Sequence, residues 1–406
     1  MLANCDHKCK GGLHLIIREH QEAEANLTAE DETTLRREFD GRLDVTPSLL
    51  DQTCILKTTQ HVGFIALPSG RLIEIRPKVR IDVLFGMLAK IHGLANFYPQ
   101  DVRYTSVMDI FEFVVSLFVQ MVDSLVIQGI LLGYQSMNDD LLALRGKVLL
   151  TETVRAHPVV RSHHWCEFSE FTADIPENRI LKMACMILMA YNYRRIPDLI
   201  PRLRRLCRVF VDVTISEKTI ENSINIVFNR LNEHYRPALR LARLLLDHLS
   251  PSGAYGSNQF LAFLVNMDTL FEKYITTVLE EMSIEGVTVI AQDTLSLDLE
   301  GTIGVRPDVV FYRGAEACLA LDAKYKRGEQ NADVYQALAY GHALDMKRVV
   351  LVYPKTETVG HARHRIRPIG DIEVVVIPLD LTGGIDELKR HSYLFAERVA
   401  SEIGPL

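Results

Sequence analysis

The chain has 406 residues, 48% hydrophobic and 24% charged, which is the composition of a folded globular protein and excludes disordered, collagen-like and coiled-coil classes. The length suits two or three domains. Lysine and arginine total 45 against 52 acidic residues, a net charge of −7, so a chain that grips DNA alone over a broad basic surface is excluded and any nucleic-acid contact is local or shared with a partner.

Seven cysteines, an odd number, are scattered along the chain, which points to a reducing cytoplasm rather than a disulfide framework. The N-terminal MLANCDHKCKGG has no apolar core of a signal peptide. Cys5-x-His7-x-Cys9 lacks the two-to-four-residue spacing of structural zinc sites and has no second pair. The first hundred residues read as β-rich, and His61 to Lys78 holds two β-branched runs around Pro68-Ser69-Gly70, the pattern of a hairpin. Arg71, Arg76 and Lys78 put positive charge near it, either for an acidic partner surface or as a solvated strand edge.

After Arg80 the pattern turns helical. Between Met108 and Leu132 the polar residues Asp109, Glu112, Ser116, Gln120, Asp123 and Gln128 recur at helical steps, so a core helix is expected rather than a membrane span. Amphipathic stretches continue to about Tyr193 with polar breaks at Asn138-Asp139-Asp140 and His157-Pro158. His157, His163, His164 and Cys166 are read as ordinary hydrogen-bonding and packing residues. Arg194 to Arg208 carries six arginines and one acid, either a solvated helix face or a phosphate-contacting strip. Ser250 to Asn258 has linker composition. The expected organisation is therefore a β-rich domain over 1–105, a mainly helical region over 106–250 and an α/β domain over 251–406.

In that last part Phe260 to Glu281 reads as a helix, followed by strands at Val287–Ile290, Leu295–Leu299, Val305–Tyr312 and Ala317–Tyr325, a helix over Asp333–Met346, and strands at Val349–Tyr353 and Val374–Pro378. The sum is an α/β sandwich around a mixed sheet. Its informative residues are Arg306-Pro307-Asp308 and, fourteen positions later, Asp322-Ala323-Lys324. Alternation along a strand puts Asp322 and Lys324 on one face, and a hairpin brings Asp308 beside them. Two carboxylates converging with a backbone carbonyl, that of Ala323, suit a hard divalent cation such as Mg²⁺. A water activated there attacks a phosphodiester, with Lys324 orienting it or stabilising developing negative charge.

Such a loose Asp…Asp-x-Lys spacing also arises by chance. Here, however, the apolar run Ala317 to Leu321 places the charges at the end of a buried strand, where ionised groups are costly without a metal or partners. Gln336 and Tyr340 lie four apart on one helical face that looks back at the site. Glu272 is either a further carboxylate of the site or one of a solvent-facing stripe with Asp268, Thr276 and Glu280. No Gly-x-Ser-x-Gly marks a serine hydrolase.

Asp308, Asp322, Lys324 and the Gln336-x-x-x-Tyr340 pair resemble the PD-(D/E)xK nuclease superfamily, in its RecB-like branch. Val62-Gly63-Phe64-Ile65 through Ile75-Arg76-Pro77-Lys78, Arg145-Gly146-Lys147, Glu177-Asn178-Arg179-Ile180-Leu181-Lys182, Met267-Asp268 with Leu270-Phe271-Glu272, and Asp322-Ala323-Lys324-Tyr325-Lys326 followed by Tyr335-Gln336 resemble the McrC family, the nuclease subunits of McrBC modified-cytosine restriction systems. These matches run from about residue 60 to 354, and the first sixty residues carry none.

The resemblance implies a Mg²⁺-dependent endonuclease of restriction-endonuclease-like α/β fold, cutting double-stranded methylated DNA. It also implies an McrB-like AAA+ GTPase hexamer as partner, engaged by the N-terminal region, which stimulates its GTP hydrolysis. The chain has no Gly-x-x-x-x-Gly-Lys-Ser/Thr phosphate loop, in keeping with GTP being bound by the partner. The other function class compatible with the sequence is a non-catalytic scaffold that activates an NTPase ring. No membrane association is expected.

Overall fold

A computed structural model describes the chain apart from residues 1–13, 48–52, 95–105, 159–161, 192, 194–195, 216–225, 253–259, 299, 327, 357–360, 366–371 and 404–406. The Cys5-His7-Cys9 motif, most of the 250–258 linker, Arg194 and Arg195 lie outside the described residues. The chain divides into two compact units, one of residues 1–110 with 262–406 and one of residues 111–261.

The first unit opens with β1 (His14–Arg18), β2 (Glu22–Ala25), α1 (Ala29–Glu38), β3 (Leu43–Pro47), β4 (Cys54–Thr58), β5 (His61–Ala66), β6 (Leu72–Arg76) and α2 (Ile81–Ile91). The hairpin expected over 61–78 forms, with β5 and β6 antiparallel and Gly70 supplying the left-handed turn position at φ +80°. β1 adds to β6 in parallel, and β2, β4 and β3 form a second small sheet. Both hairpin strands are core: Val62, Phe64, Ile65, Ile73 and Ile75 are buried. Arg76 is tied to the buried Glu74 at 3.3 Å.

The second unit takes all but the first turn of α3 (Val107–Gln128), then β7 (Gly133–Leu141), β8 (Lys147–Val148), α4 (Leu150–Ala156), β9 (His164–Thr172), α5 (Pro176–Leu188), α6 (Leu199–Val209), α7 (Arg236–His248) and β10 (Leu249–Ser252). Among the described residues α3 is the one helix long and apolar enough to cross a membrane. It buries Phe111, Val115, Phe118 and Val122 within the protein. Its polar stripe is used as well, since Asp123 receives Arg202 at 2.7 Å and Arg205. Two of the clustered arginines thus serve a structural ion pair, while Arg204 and Arg208 are exposed.

The region is mainly helical, and beside the helices it holds a three-stranded sheet in the order β7-β9-β8 that the sequence reading did not expect. Asn138-Asp139-Asp140, expected as a break, sits inside β7 opposite Trp165 to Glu167. β7 is largely exposed, so it has little need of the apolar alternation by which a strand is recognised. Gly146 explains the Arg-Gly-Lys step: at φ +67° a Cβ there would lie 2.3 Å from the Glu167 carbonyl oxygen. His157 pairs with Asp140 at 2.6 Å and stacks on His163, the ordinary role expected of that cluster.

The chain then re-enters the first unit with β11 (Phe260–Asn266), α8 (Met267–Glu280), β12 (Val287–Ala291), β13 (Leu295–Ser296), β14 (Gly304–Val305), β15 (Val309–Arg313), β16 (Glu316–Ala323), α9 (Asn331–Ala343), β17 (Arg348–Pro354), β18 (Ala362–Arg365), β19 (Glu373–Leu379) and α10 (Ile385–Glu402). The single helix expected over Phe260–Glu281 is two elements. The apolar run Phe260 to Val265 has no polar face to expose, and it pairs antiparallel with β5 as an inner strand. Asn266 then caps α8, its side-chain oxygen accepting from the Asp268 and Thr269 amides.

Residues 1–110 and 262–406, expected in separate domains, therefore share one unit. Ala262 and Leu264 enter the N-terminal core with Leu35, Phe39, Leu56 and Ile73. Gly63 makes this closure possible, because a Cβ there would stand 1.8 Å from the Phe263 carbonyl oxygen. The remaining strands form a six-stranded mixed sheet in the order β12-β15-β16-β17-β19-β18. β16, β17 and β19 are parallel and the others antiparallel. α9 packs on one face over Val310, Ala320, Val349, Leu351 and Val374, α8 lies along β12 and β16, and α10 lies along β19. This is the mixed α/β architecture expected.

Candidate active site

Pro307 interrupts the strand expected over 305–312, because it has no N–H for the ladder. β14 ends at Val305 and β15 begins at Val309. Asp308 thus stands just before a strand whose Val309 faces Leu321 of β16. That register carries its carboxylate to the end of β16, where Oδ2 accepts from the Ala323 amide at 2.7 Å.

Asp322 and Lys324 flank the wholly buried Ala323 and meet on one face, with Nζ 2.7 Å from Asp322 Oδ2. The Lys324 amide continues the sheet by donating to the Val352 carbonyl at 2.8 Å. Asp308, Asp322 and Lys324, fourteen and sixteen positions apart in sequence, are therefore brought together.

The Gln336 and Tyr340 pair joins them from α9. Tyr340 is buried and its hydroxyl donates to Asp322 Oδ1 at 3.1 Å, with the Arg306 carbonyl 3.2 Å away. Gln336 Nε2 in turn donates to the Tyr340 oxygen at 2.6 Å. Glu272, on α8, is half-buried, and its carboxyl feels Lys324, Asp322 and Asp268. It is near the site by electrostatics and makes no hydrogen bond to the other site residues.

The electrostatics are those of crowded acids. Burial, reinforced by the Asp322 charge, pushes the Asp308 carboxyl up to about 7. Burial also raises Asp322, against the pull of Lys324, and raises Glu272. Burial works against the Lys324 ammonium too, but the charges of Asp322, Asp308 and Glu272 prevail and hold its pKa up. The hydroxyl of Tyr340 is raised by burial and then by Asp322, so it stays a donor. A buried carboxylate, that of Asp322, and a half-buried one, that of Asp308, with one ammonium beside them leave negative charge that a hard divalent cation would relieve.

Sequence reasoning missed the acids behind the site. Asp333, on the first turn of α9, is buried and receives Lys326 Nζ at 2.6 Å and the Tyr353 hydroxyl at 2.7 Å. Its place three residues after Gln330, within a capping box, was the available signal. Glu19, 1% exposed, accepts the Lys78 amide at 2.6 Å and the Tyr325 hydroxyl at 3.1 Å. No local pattern marks it.

The chain belongs to the family of McrBC 5-methylcytosine restriction system components, whose family model matches residues 56–354. Among solved structures, it is similar to a chain from the refined half-complex of the tetradecameric assembly of Thermococcus gammatolerans McrB AAA+ hexamers with bound McrC. The identity is 20% and the TM-score 0.58, over 96% of this chain and 99% of that one, so the fold is shared. A chain of the cryo-EM structure of the Thermococcus gammatolerans McrBC complex is 22% identical, with a TM-score of 0.39 over 66% of this chain and 87% of that one. None of the curated proteins matches the sequence.

Proposed function

We propose that this chain is the DNA-cutting subunit of a GTP-dependent restriction system directed at modified cytosine, acting in the cytoplasm with an McrB-like AAA+ GTPase partner. The observation that carries this reading is the convergence of Asp308, Asp322 and Lys324 at the end of one sheet strand. We read the six-stranded sheet and its helices as a PD-(D/E)xK nuclease sandwich. Family membership and the fold shared with the Thermococcus gammatolerans assembly support the partner.

The donor set fits Mg²⁺. Asp308 and Asp322 would hold it, with the Ala323 carbonyl as a third oxygen. Such an ion would take the two carboxylates and otherwise bind water and substrate phosphate. When bound, the ion supplies a water of lowered pKa and neutralises charge on the phosphodiester. Lys324 directs its ammonium at the same space, orienting the attacking water and stabilising developing negative charge. Tyr340 fixes the Asp322 carboxylate and Gln336 fixes Tyr340. Glu272 adds a carboxylate at the rim. GTP is bound by the partner, whose hydrolysis this chain stimulates.

The test is cleavage of double-stranded methylated DNA by the chain with its GTPase partner, GTP and Mg²⁺. Asp322→Asn is expected to abolish cleavage and to leave the stimulated GTP hydrolysis in place. Cleavage by that variant at the wild-type rate would overturn the assignment.

A further inference from the structure

The parallel strands β16, β17 and β19 all run in the same direction in the sheet, and ligands of open α/β sheets bind outside the carboxyl ends of such strands. At that edge lies a cavity of about 640 Å³, and the segments that follow each of the three strands line it. Lys326 comes from the segment after β16, Lys355 from the segment after β17 and Thr382 from the segment after β19, while Lys78 and Arg80 reach it from the segment after β6. Four basic residues from three separate stretches of a chain of net charge −7 thus line one cavity. Lys326 stands two residues beyond Lys324.

The walls are fixed from behind by carboxylates. The wholly buried Glu19 accepts both the Lys78 amide and the hydroxyl of Tyr325, itself a lining residue. Its second oxygen, Oε2, has no hydrogen-bond partner among the described residues. Asp333, also buried, receives Lys326 at 2.6 Å. Asp380 receives Lys355 at 2.9 Å and the Thr382 hydroxyl at 2.6 Å, and Asp82 receives Arg80 at 2.7 Å. The Lys355 and Arg80 pairs are solvent-exposed on the cation side, and exposed pairs of this kind are weak enough for a phosphate to displace.

We propose that this cavity is a backbone-phosphate subsite for the DNA strand that runs past the cutting centre, with Lys78, Arg80, Lys326 and Lys355 as its phosphate donors. The subsite answers an electrostatic problem of the site itself: Asp308, Asp322 and Glu272 repel a polyanion, and attraction has to come from cations close by but outside the acid cluster. The identity of the ligand rests on the nuclease reading, whereas the measurement that tests the subsite does not need cleavage.

The experiment is a fluorescence-anisotropy titration of labelled duplex DNA in EDTA over a range of KCl, with the full chain alone and with its AAA+ partner. Lys78→Ala/Lys355→Ala is expected to bind more weakly, its log–log salt slope reduced by about 1.8, at about 0.9 per lost phosphate contact. Asp380→Asn, which releases Lys355, is expected to bind at least as tightly as wild type. An unchanged slope in a double variant with wild-type circular dichroism and melting temperature would overturn the proposal. So would equal weakening by Asp380→Asn, or a wild-type chain that binds no DNA in either setting. If Asp322→Asn still cut DNA while the slope fell as expected, the nuclease assignment would fail and the subsite would stand.

Discussion

The Tyr325 hydroxyl donates to Glu19 Oε1 at 3.1 Å across 306 positions of sequence. The same carboxylate oxygen accepts the Lys78 amide, and the Tyr325 ring lies 5.8 Å from that of Phe271, next to Glu272. One buried acid just beyond the first strand therefore braces the residue that follows Lys324.

Glu19→Ala leaves the buried Tyr325 hydroxyl and the part-buried Lys78 amide without their acceptor and is expected to cost about 1–3 kcal/mol. Tyr325→Phe removes a single hydrogen bond and costs less, about 1 kcal/mol. Chemical denaturation of the two single variants and the double variant checks this. The double variant is expected to lose less than the sum, and strict additivity would remove the link between them.

Lys324→Ala is expected to lower cleavage by about 10²–10³-fold, the range seen when a preorganised stabilising donor is lost. Its ammonium has no acceptor with which to bind a metal, so raising Mg²⁺ alone is not expected to restore the rate. Single-turnover cleavage across a Mg²⁺ series distinguishes this from a role in metal affinity, which saturating Mg²⁺ would rescue.

Tyr340→Phe takes away the donor that holds Asp322 Oδ1 and is expected to cost about 10–100-fold in metal affinity or rate, the usual range for residues that orient a ligand. Gln336→Ala, one hydrogen bond further out, is expected to cost less. A larger loss from Gln336→Ala than from Tyr340→Phe would reverse the order of the chain Gln336–Tyr340–Asp322 and assign Gln336 a direct role.

The Asp308 carboxyl, held up to about 7 by burial and by Asp322, binds its proton more tightly in the folded chain than in the unfolded one. Its contribution to stability is full below pH about 4 and is lost as pH rises through the folded value. Without metal, Asp308→Asn is expected to raise the melting temperature at pH 8 and to change it little at pH 4. Three pK units at about 1.4 kcal/mol each set a ceiling of about 4 kcal/mol on the effect. Millimolar Mg²⁺ is expected to stabilise wild type more than the variant. An equal gain from the variant at both pH values would show that charge on Asp308 is not the cause.

Much of the site was legible because its residues are close in sequence and governed by strand alternation. Asp308, Asp322 and Lys324 needed a turn and a hairpin, and the 61–78 hairpin announced itself through Pro68-Ser69-Gly70. What escaped reading was long-range or lacked periodicity. β7 is too exposed to alternate, and its Asn138-Asp139-Asp140 segment reads as a loop. β11 is an apolar run joined directly to a helix, where periodicity cannot separate strand from helix. Glu19 gains its role only when the segment after β16 arrives beside it, and nothing near it in sequence signals that.

The pairing of β11 with β5 sets Leu264 opposite Gly63, about two hundred residues apart. During synthesis the N-terminal sheet must therefore wait, its Phe64 edge open, until the ribosome has delivered residue 266. The second unit emerges in full during that interval, as an insertion between two halves of one core. A release of the nascent chain before β11 is expected to yield an aggregation-prone N-terminal sheet. The candidate site, whose residues run from Glu272 to Tyr340, can then be assembled only late in translation.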